Sequence, residues 1–378
     1  MLKKIIIKNI CSIKECEIDF QKAGYSFASE NIVKDIVNPV AIYGHNGSGK
    51  SSVMKAMGFL IQLMSEPVQL LHPFNVNDFL SRKYNESKNE LFITGSIELH
   101  FELNKKNYIY HIQTALNKGI TREYLCIDDK KYFDRQEMNV FINDKQITLK
   151  KERTSQLIPY LRLSAASDIN NKIIQDVYSY ISSFIMIYTP NFNSREFITS
   201  SLFKNINLLD LLVNKSNEVK SILSKYNDFP LYTIKKKDNP LMPPTYQLQL
   251  QDGDFEGELN LSYISTGMLS QSVLLSLVLS LPKNAVLFVD ELDFALHPET
   301  IKSFLDVIRD KKIQLVFTSH NTNVMQSLRP DQLYFANWKK GFSTYKRLSK
   351  IYPNIREVNN IEKMYLSSIF DEEIESDE

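Results

Sequence analysis

The stretch "VAIYGHNGSGKSSVMKAMGFL" (40–60) carries Gly44-x-x-x-x-Gly49-Lys50-Ser51, a spacing suited to holding phosphate. Glycines let a chain turn tightly enough for successive backbone N–H groups to converge on one anion. Gly44, His45, Asn46, Gly47, Ser48 and Gly49 would form that cradle, and Ser51 and Ser52 would open the next helix at its positive end. Lys50 would reach the β- and γ-phosphates, and the Ser51 hydroxyl would ligate Mg²⁺. The ligand implied is a nucleoside triphosphate.

Binding a triphosphate does not hydrolyse it, and "AVLFVDELDFALHP" offers the missing acids. Val286-Leu287-Phe288-Val289 reads as a buried strand with Asp290 and Glu291 at its carboxyl end, where open α/β sheets place ligands. There Asp290 would hold Mg²⁺ and Glu291 would act as general base on an attacking water. The strand in "IQLVFTSHN" ends at Ser319-His320, which puts an imidazole on the same edge, able to hydrogen-bond a γ-phosphate. In "YISTGMLSQSVLLSLVLSL", Ser265, Thr266 and Gly267 precede or open a helix whose N-terminus could receive a second anion contact.

These residues need a scaffold. Val40–Tyr43 reads as a buried strand, and Val53, Met54, Met57, Leu60, Ile61 and Met64 give the following helix one apolar face, with Pro67 past its end. Residues 1–20 read as two strands. Alternation of Ile97, Leu99, Phe101 and Leu103, then Asn104-Lys105-Lys106-Asn107 before Tyr108–Ile112, marks a hairpin. Residues 155–230 read as mainly helical, "KKKDNPLMPP" (235–244) as a loop, 285–289 and 313–318 as apolar strands, and "DEEIESDE" as an acidic tail. The expected fold class is α/β. The divisions are an N-terminal lobe at 1–150, a mainly helical insertion at 151–245, a C-terminal lobe at 246–350 and a terminal segment at 351–378.

A chain of 378 residues, 43% hydrophobic, can bury a large core. A net charge of +1 excludes a globally basic nucleic-acid coat. Cys11, Cys16 and Cys126 have neither metal-ligand spacing nor an even disulfide framework, which suits a reducing cytoplasm. The apolar run at the N-terminus is too short for a signal peptide, and the stretch 268–281 is broken by serines and too short to span a membrane.

The order of "IKNICSIKECEIDF", "GHNGSGKSS", "LSYISTGMLSQ", "LFVDELDFALHP" and "LVFTSHN" resembles the ABC-type ATPases, and within them the RecF, structural-maintenance-of-chromosomes and overcoming-lysogenization-defect group. Glu123-Tyr124-Leu125, "DQLYF" (331–335) and "NIEKMYL" (360–366) bring it nearest to single-chain AAA-type ATPases of abortive-infection and restriction loci. The resemblance implies a P-loop NTPase fold and ATP with Mg²⁺. It also implies a head-to-tail homodimer, with each ATP held between one copy's phosphate loop and the other's Ser265–Gly267. Phe294-Ala295-Leu296-His297 would pass between the two sites. "ISTGM" lacks the second glycine and the glutamine of the transporter form, and Cys11 stands where many relatives carry arginine.

The resemblance implies an ATP-driven switch that controls a separately encoded effector such as a nuclease, in phage defence, with no membrane role. Two other readings remain at this level. One is a nucleotide-gated scaffold with little turnover. The other is a repair ATPase gripping nucleic acid through Lys235-Lys236-Lys237 and Lys339, Lys340, Lys346, Arg347 and Lys350.

Overall fold

A computed structural model describes residues 1–64, 94–115, 118–142, 145–149, 158–166, 171–190, 202–203, 206–224, 231–239, 242–252, 255–260, 265–294 and 298–370. Pro67, the 295–297 part of the loop after Phe294 and the acidic tail lie outside these residues.

The chain opens with β1 (Leu2–Ile10) antiparallel to β2 (Ile13–Asp19), and Ile5 and Ile7 point inward opposite Ile18 and Cys16. A small hairpin, β3 (Ile32–Val33) and β4 (Ile36–Val37), leads to β5 (Val40–Tyr43) and α1 (Lys50–Met64). An antiparallel meander follows: β6 (Thr94–Leu103), β7 (Lys106–Ala115), β8 (Gly119–Ile127), β9 (Lys130–Gln136), β10 (Asn139–Ile142) and β11 (Lys145–Thr148). Its first turn is the expected hairpin. Leu103 pairs with Lys106 across Asn104 and Lys105, both at positive φ, the geometry a two-residue turn needs to match strand twist.

The middle of the chain holds α2 (Tyr160–Ala166), α3 (Lys172–Ser182), β12 (Ile185–Tyr188), β13 (Leu202–Phe203), β14 (Ile206–Asn207) and α4 (Leu208–Leu223). Helices occupy much of this stretch, as the periodicity predicts, but β12 departs from it. Ile185–Tyr188 pairs parallel with the strand that carries Asp290, so a piece of the central sheet sits inside the segment expected to be helical. Four residues are too few to display a period, and the run Ile-Met-Ile-Tyr is apolar throughout, so no alternation in residue type marks it as a strand.

The loop expected at 235–244 is a second departure. β15 (Leu231–Asn239) and β16 (Met242–Asp252) run as one hairpin through it, and β17 (Phe255–Asn260) completes a three-stranded sheet. Pro243 and Pro244 fit because they lie where the register slips between Lys237 and Asn239, before β17 begins to pair at Gln247. Proline, which cannot donate, is tolerated at such a bulge.

The last third supplies α5 (Thr266–Ser280), β18 (Val286–Asp290), α6 (Pro298–Asp310), β19 (Gln314–Thr318), β20 (Leu333–Lys339), β21 (Phe342–Arg347), α7 (Leu348–Ile351) and α8 (Ile361–Leu366). Among the described residues, one sheet joins β11-β10-β9-β8-β7-β6-β1-β2-β21-β20-β5-β19-β18-β12. The strands β20, β5, β19, β18 and β12 are parallel, and the rest of the sheet is antiparallel apart from one parallel contact between β2 and β21. Of the parallel strands, β5, β18 and β19 are buried on both faces. Val286 and Phe288 join the core with α1, whereas Leu287 and Val289 join the core with α5 and α6. That is why these strands read as unbroken apolar runs.

Several residues that stand out in the sequence prove to be architectural. Glu123 is buried, accepts from the Tyr160 and Leu161 N–H groups (2.5 and 2.9 Å) and the Tyr110 hydroxyl (3.0 Å), and faces Arg135 at 3.4 Å. It thereby ties the start of α2 to the meander. Asp331 is gripped on both oxygens by Arg329, whose remaining N–H groups donate to the Ala23, Tyr25 and Phe27 carbonyls. Gln332 donates to Pro39 O and accepts from Arg329 N and Asn31 Nδ2. A buried ion pair recovers its desolvation cost only when its other valences are filled in this way.

Candidate functional site

The site grows from the carboxyl edge of β5. After Tyr43 the chain leaves the sheet at Gly44, where an added Cβ would collide with the Ala336 carbonyl oxygen of β20. Gly49, at φ 97, lies against the Ser343 and Ser12 hydroxyls, and a Cβ would drive into both. Ser12 Oγ is 2.7 Å from Ser52 Oγ and 2.6 Å from Ser343 Oγ, and the Tyr345 hydroxyl donates to Gly49 O at 2.6 Å. The loop is therefore bedded on the β1–β2 turn and the β20–β21 hairpin. His45, Asn46 and Gly47 are exposed at its crest. Ser48 is buried, and its hydroxyl has no hydrogen-bond partner among the described residues. An orphaned hydroxyl inside a ring of glycines suits an incoming polar ligand.

Lys50 is buried and folds back over the loop, donating to Gly44 O at 2.8 Å and His45 O at 3.0 Å. Burial lowers its ammonium pKa, against the opposing pull of Asp290, Glu291 and Asp293. Ser51 donates to Asp290 Oδ1 at 3.0 Å, and Thr318 Oγ1 donates to the same oxygen at 2.6 Å. This joint brings three distant stretches together: the start of α1 and the ends of β18 and β19. One hydroxyl and one carboxylate suit Mg²⁺, which keeps waters and takes further oxygens from phosphate. Among the described residues no cluster of three His, Cys, Asp or Glu side chains could hold a metal by itself.

Glu291 follows Asp290 at φ 55, half-buried on the same edge. Burial, then the neighbouring Asp290, raises its carboxyl above the usual value. Its N–H donates to Thr318 Oγ1 at 2.8 Å. His320 is exposed just past β19, and its backbone N–H donates to Asp293 Oδ1 at 2.9 Å. Asp290, Glu291, Asp293 and His320 thus share one edge with the phosphate loop.

Among the described residues, no hydrogen bond joins Ser265 or Gly267 to that loop. Ser265 caps α5, accepting from Met268 N at 3.2 Å, and is exposed; nothing is described of the Thr266 side chain, and Gly267 is half-buried. The buried face of α5 packs on the opposite side of the sheet from α1.

Sequence reasoning missed Asp293, Thr318, Ser12, Ser343 and Tyr345. Asp293 was legible beside the acid pair. Ser12 sits one position after Cys11, which the resemblance had already singled out; Cys11 itself takes φ 53 and its neighbour enters the site. Ser343 and Tyr345 carried no signal, because only sheet order puts β21 under the loop. The basic residues weighed for nucleic acid fare differently. Arg347 is buried, donating to Asp331 O and Gln21 O, while Lys236 pairs with Asp210 at 2.9 Å and Lys350 with Glu17 at 3.7 Å.

A family model described as "AAA domain, putative AbiEii toxin, Type IV TA system" matches residues 40–326, from the start of β5 past His320. A search of curated proteins finds no match. Among solved structures, the chain is similar to an SMC head bound to the C-winged helix domain of ScpA. The identity is 14% and the TM-score 0.53, over 92% of this chain and 98% of that one. The SMC head domain from Thermotoga maritima gives 15% and 0.47 over 92% and 98%. A Smc head with an extended coiled coil, bound to the C-terminal domain of ScpA derived from Pyrococcus furiosus, gives 14% and 0.48 over 92% and 97%. Among the described residues no helix is long and apolar enough to cross a membrane.

Proposed function

The chain belongs to this AAA-domain family of putative AbiEii toxins, and we propose that it binds and hydrolyses ATP with Mg²⁺ as a two-copy switch controlling a separate effector in phage defence. The observation that supports this best is the Ser51–Asp290–Thr318 joint, which ties the phosphate loop to the acidic strand end. A bound Mg²⁺ would supply charge to offset that developing on the β- and γ-phosphates. Ser51 and Asp290 would hold it. Lys50 exchanges two backbone carbonyls for phosphate oxygens, and the Ser48 hydroxyl and the loop N–H groups of Gly44–Ser52 complete the cradle. Glu291 takes a proton from the attacking water, and His320 contacts the γ-phosphate from the next strand end.

Ser265–Gly267, on the far side of their own sheet, serve the phosphate loop of a second copy. ATP then closes the pair and hydrolysis opens it. Binding of nucleic acid contributes less, since Arg347, Lys236 and Lys350 already engage protein oxygens. The test is Glu291→Gln. Phosphate release should fall at least about 100-fold while ATP stays bound. A variant that turns over at the normal rate would end the base assignment.

A further inference from the structure

We propose that Thr189 is a positioning residue for hydrolysis, fixing the Glu291 main chain from the strand opposite Thr318; this rests on Glu291 being the base. β18 lies between β12 and β19. Each neighbour sends one threonine to the junction just past its end. Thr318, the last residue of β19, donates to Asp290 Oδ1 and accepts from Glu291 N. Thr189, the first residue after β12, shares its hydroxyl hydrogen between Asp290 O at 3.1 Å and Glu291 O, the closer of the two. Both threonines are buried, at 2% and 0% exposure, so water does not substitute for either hydroxyl.

The clamp matters because Glu291 is a non-glycine residue at φ 55. An L-residue keeps that conformation only where its surroundings over-determine it. Here the surroundings are hydrogen bonds on both sides of the residue: Glu291 N to Thr318, Leu292 N to Thr318 O at 2.9 Å, and Thr189 and Phe294 N (2.9 Å) to Glu291 O. The left-handed turn decides where the Glu291 carboxylate points relative to the Ser51–Asp290 joint. Without the Thr189 hydroxyl the carbonyl side of the clamp keeps only the Phe294 N–H, and the carboxylate loses its aim. Among the described residues, none of the hydrogen bonds that bed the phosphate loop involves Thr189, so the loop should keep its geometry.

Thr189→Val preserves shape and removes the hydroxyl, and Thr189→Ser restores it. In the full chain, Thr189→Val should lower kcat about 10- to 100-fold. KM and the calorimetric ATP affinity should stay within about twofold, and Thr189→Ser should recover most of kcat. Without nucleotide, Thr189→Val should also speed amide exchange at 291–294. Thr189→Ala is read in the same way should the valine variant be unstable. Unchanged kcat, or a fall in kcat and ATP affinity together that serine does not rescue, overturns the proposal. Normal turnover by Glu291→Gln would remove the base reading itself; slow turnover there with normal Thr189→Val removes only the clamp.

Discussion

A methyl group on Gly49 would meet the Ser12 and Ser343 hydroxyls at once, on a backbone at φ 97 that disfavours any side chain. Gly49→Ala should therefore abolish ATP binding in calorimetry and lower stability by about 1–3 kcal/mol in thermal melts. A variant that melts and binds like the parent would show that the loop is not bedded as described. Lys50 and Ser51 illustrate the opposite case, since Lys50 already holds carbonyl oxygens that phosphate would replace and Ser51 already faces the carboxylate with which it would share a metal. Nothing in the residue types separates such groups from Glu123. That carboxylate is equally prominent in the chain, yet four donors and a buried position make it a structural anchor.

At the scale of elements, the meander places Glu98 against His100 Nε2 (2.7 Å), His111 Nδ1 (3.2 Å) and the donating Tyr124 hydroxyl (2.6 Å). The hydrogen bond from His100, then that from His111, holds its carboxyl well below the usual carboxylate range. A carboxyl depressed in the folded state contributes stability that is complete above its unfolded pKa and lost as pH falls toward the folded value. Glu98→Gln should cost about 1–2 kcal/mol in urea unfolding at neutral pH, and the deficit should narrow below about pH 4. A deficit independent of pH would mean that packing, not charge, is involved. The β20–β21 hairpin makes a different prediction. Trp338, the chain's one tryptophan, pairs with Ser343, so the two side chains share the face that supports Gly49. Its fluorescence should change on saturation with ADP; an unchanged spectrum would uncouple the hairpin from the loop.

For the molecule as a whole, the consequence of the layered sheet is that α1 and α5 pack on opposite faces. The proposed sandwich sets the Ser265 end of α5 against the phosphate loop of a second copy. The Glu291→Gln chain loaded with ATP should sediment at twice the mass of the nucleotide-free chain. Adding Ser265→Arg, at an exposed cap, should return it to single mass with ATP affinity retained, at about 1 kcal/mol of stability for the lost cap. If the double variant still pairs, the helix end is not at the interface.

Gly44–Ser51, the apolar strand before Asp290-Glu291 and the strand before His320 were legible because phosphate binding and burial on both faces impose local spacing and composition. The resemblance of their order to ABC-type ATPases extended that reading to the fold. Tertiary structure alone decided the rest. Strand order put β21 and its Ser343 and Tyr345 beneath the loop, although almost 300 residues separate them from Gly49. It also drew four-residue β12 into the sheet, with Thr189 at its end, and turned 235–244 from a loop into a hairpin. Local spacing records what a residue's own neighbours require, whereas a contact across the sheet depends on which strands lie side by side. No stretch of chain carries that information alone.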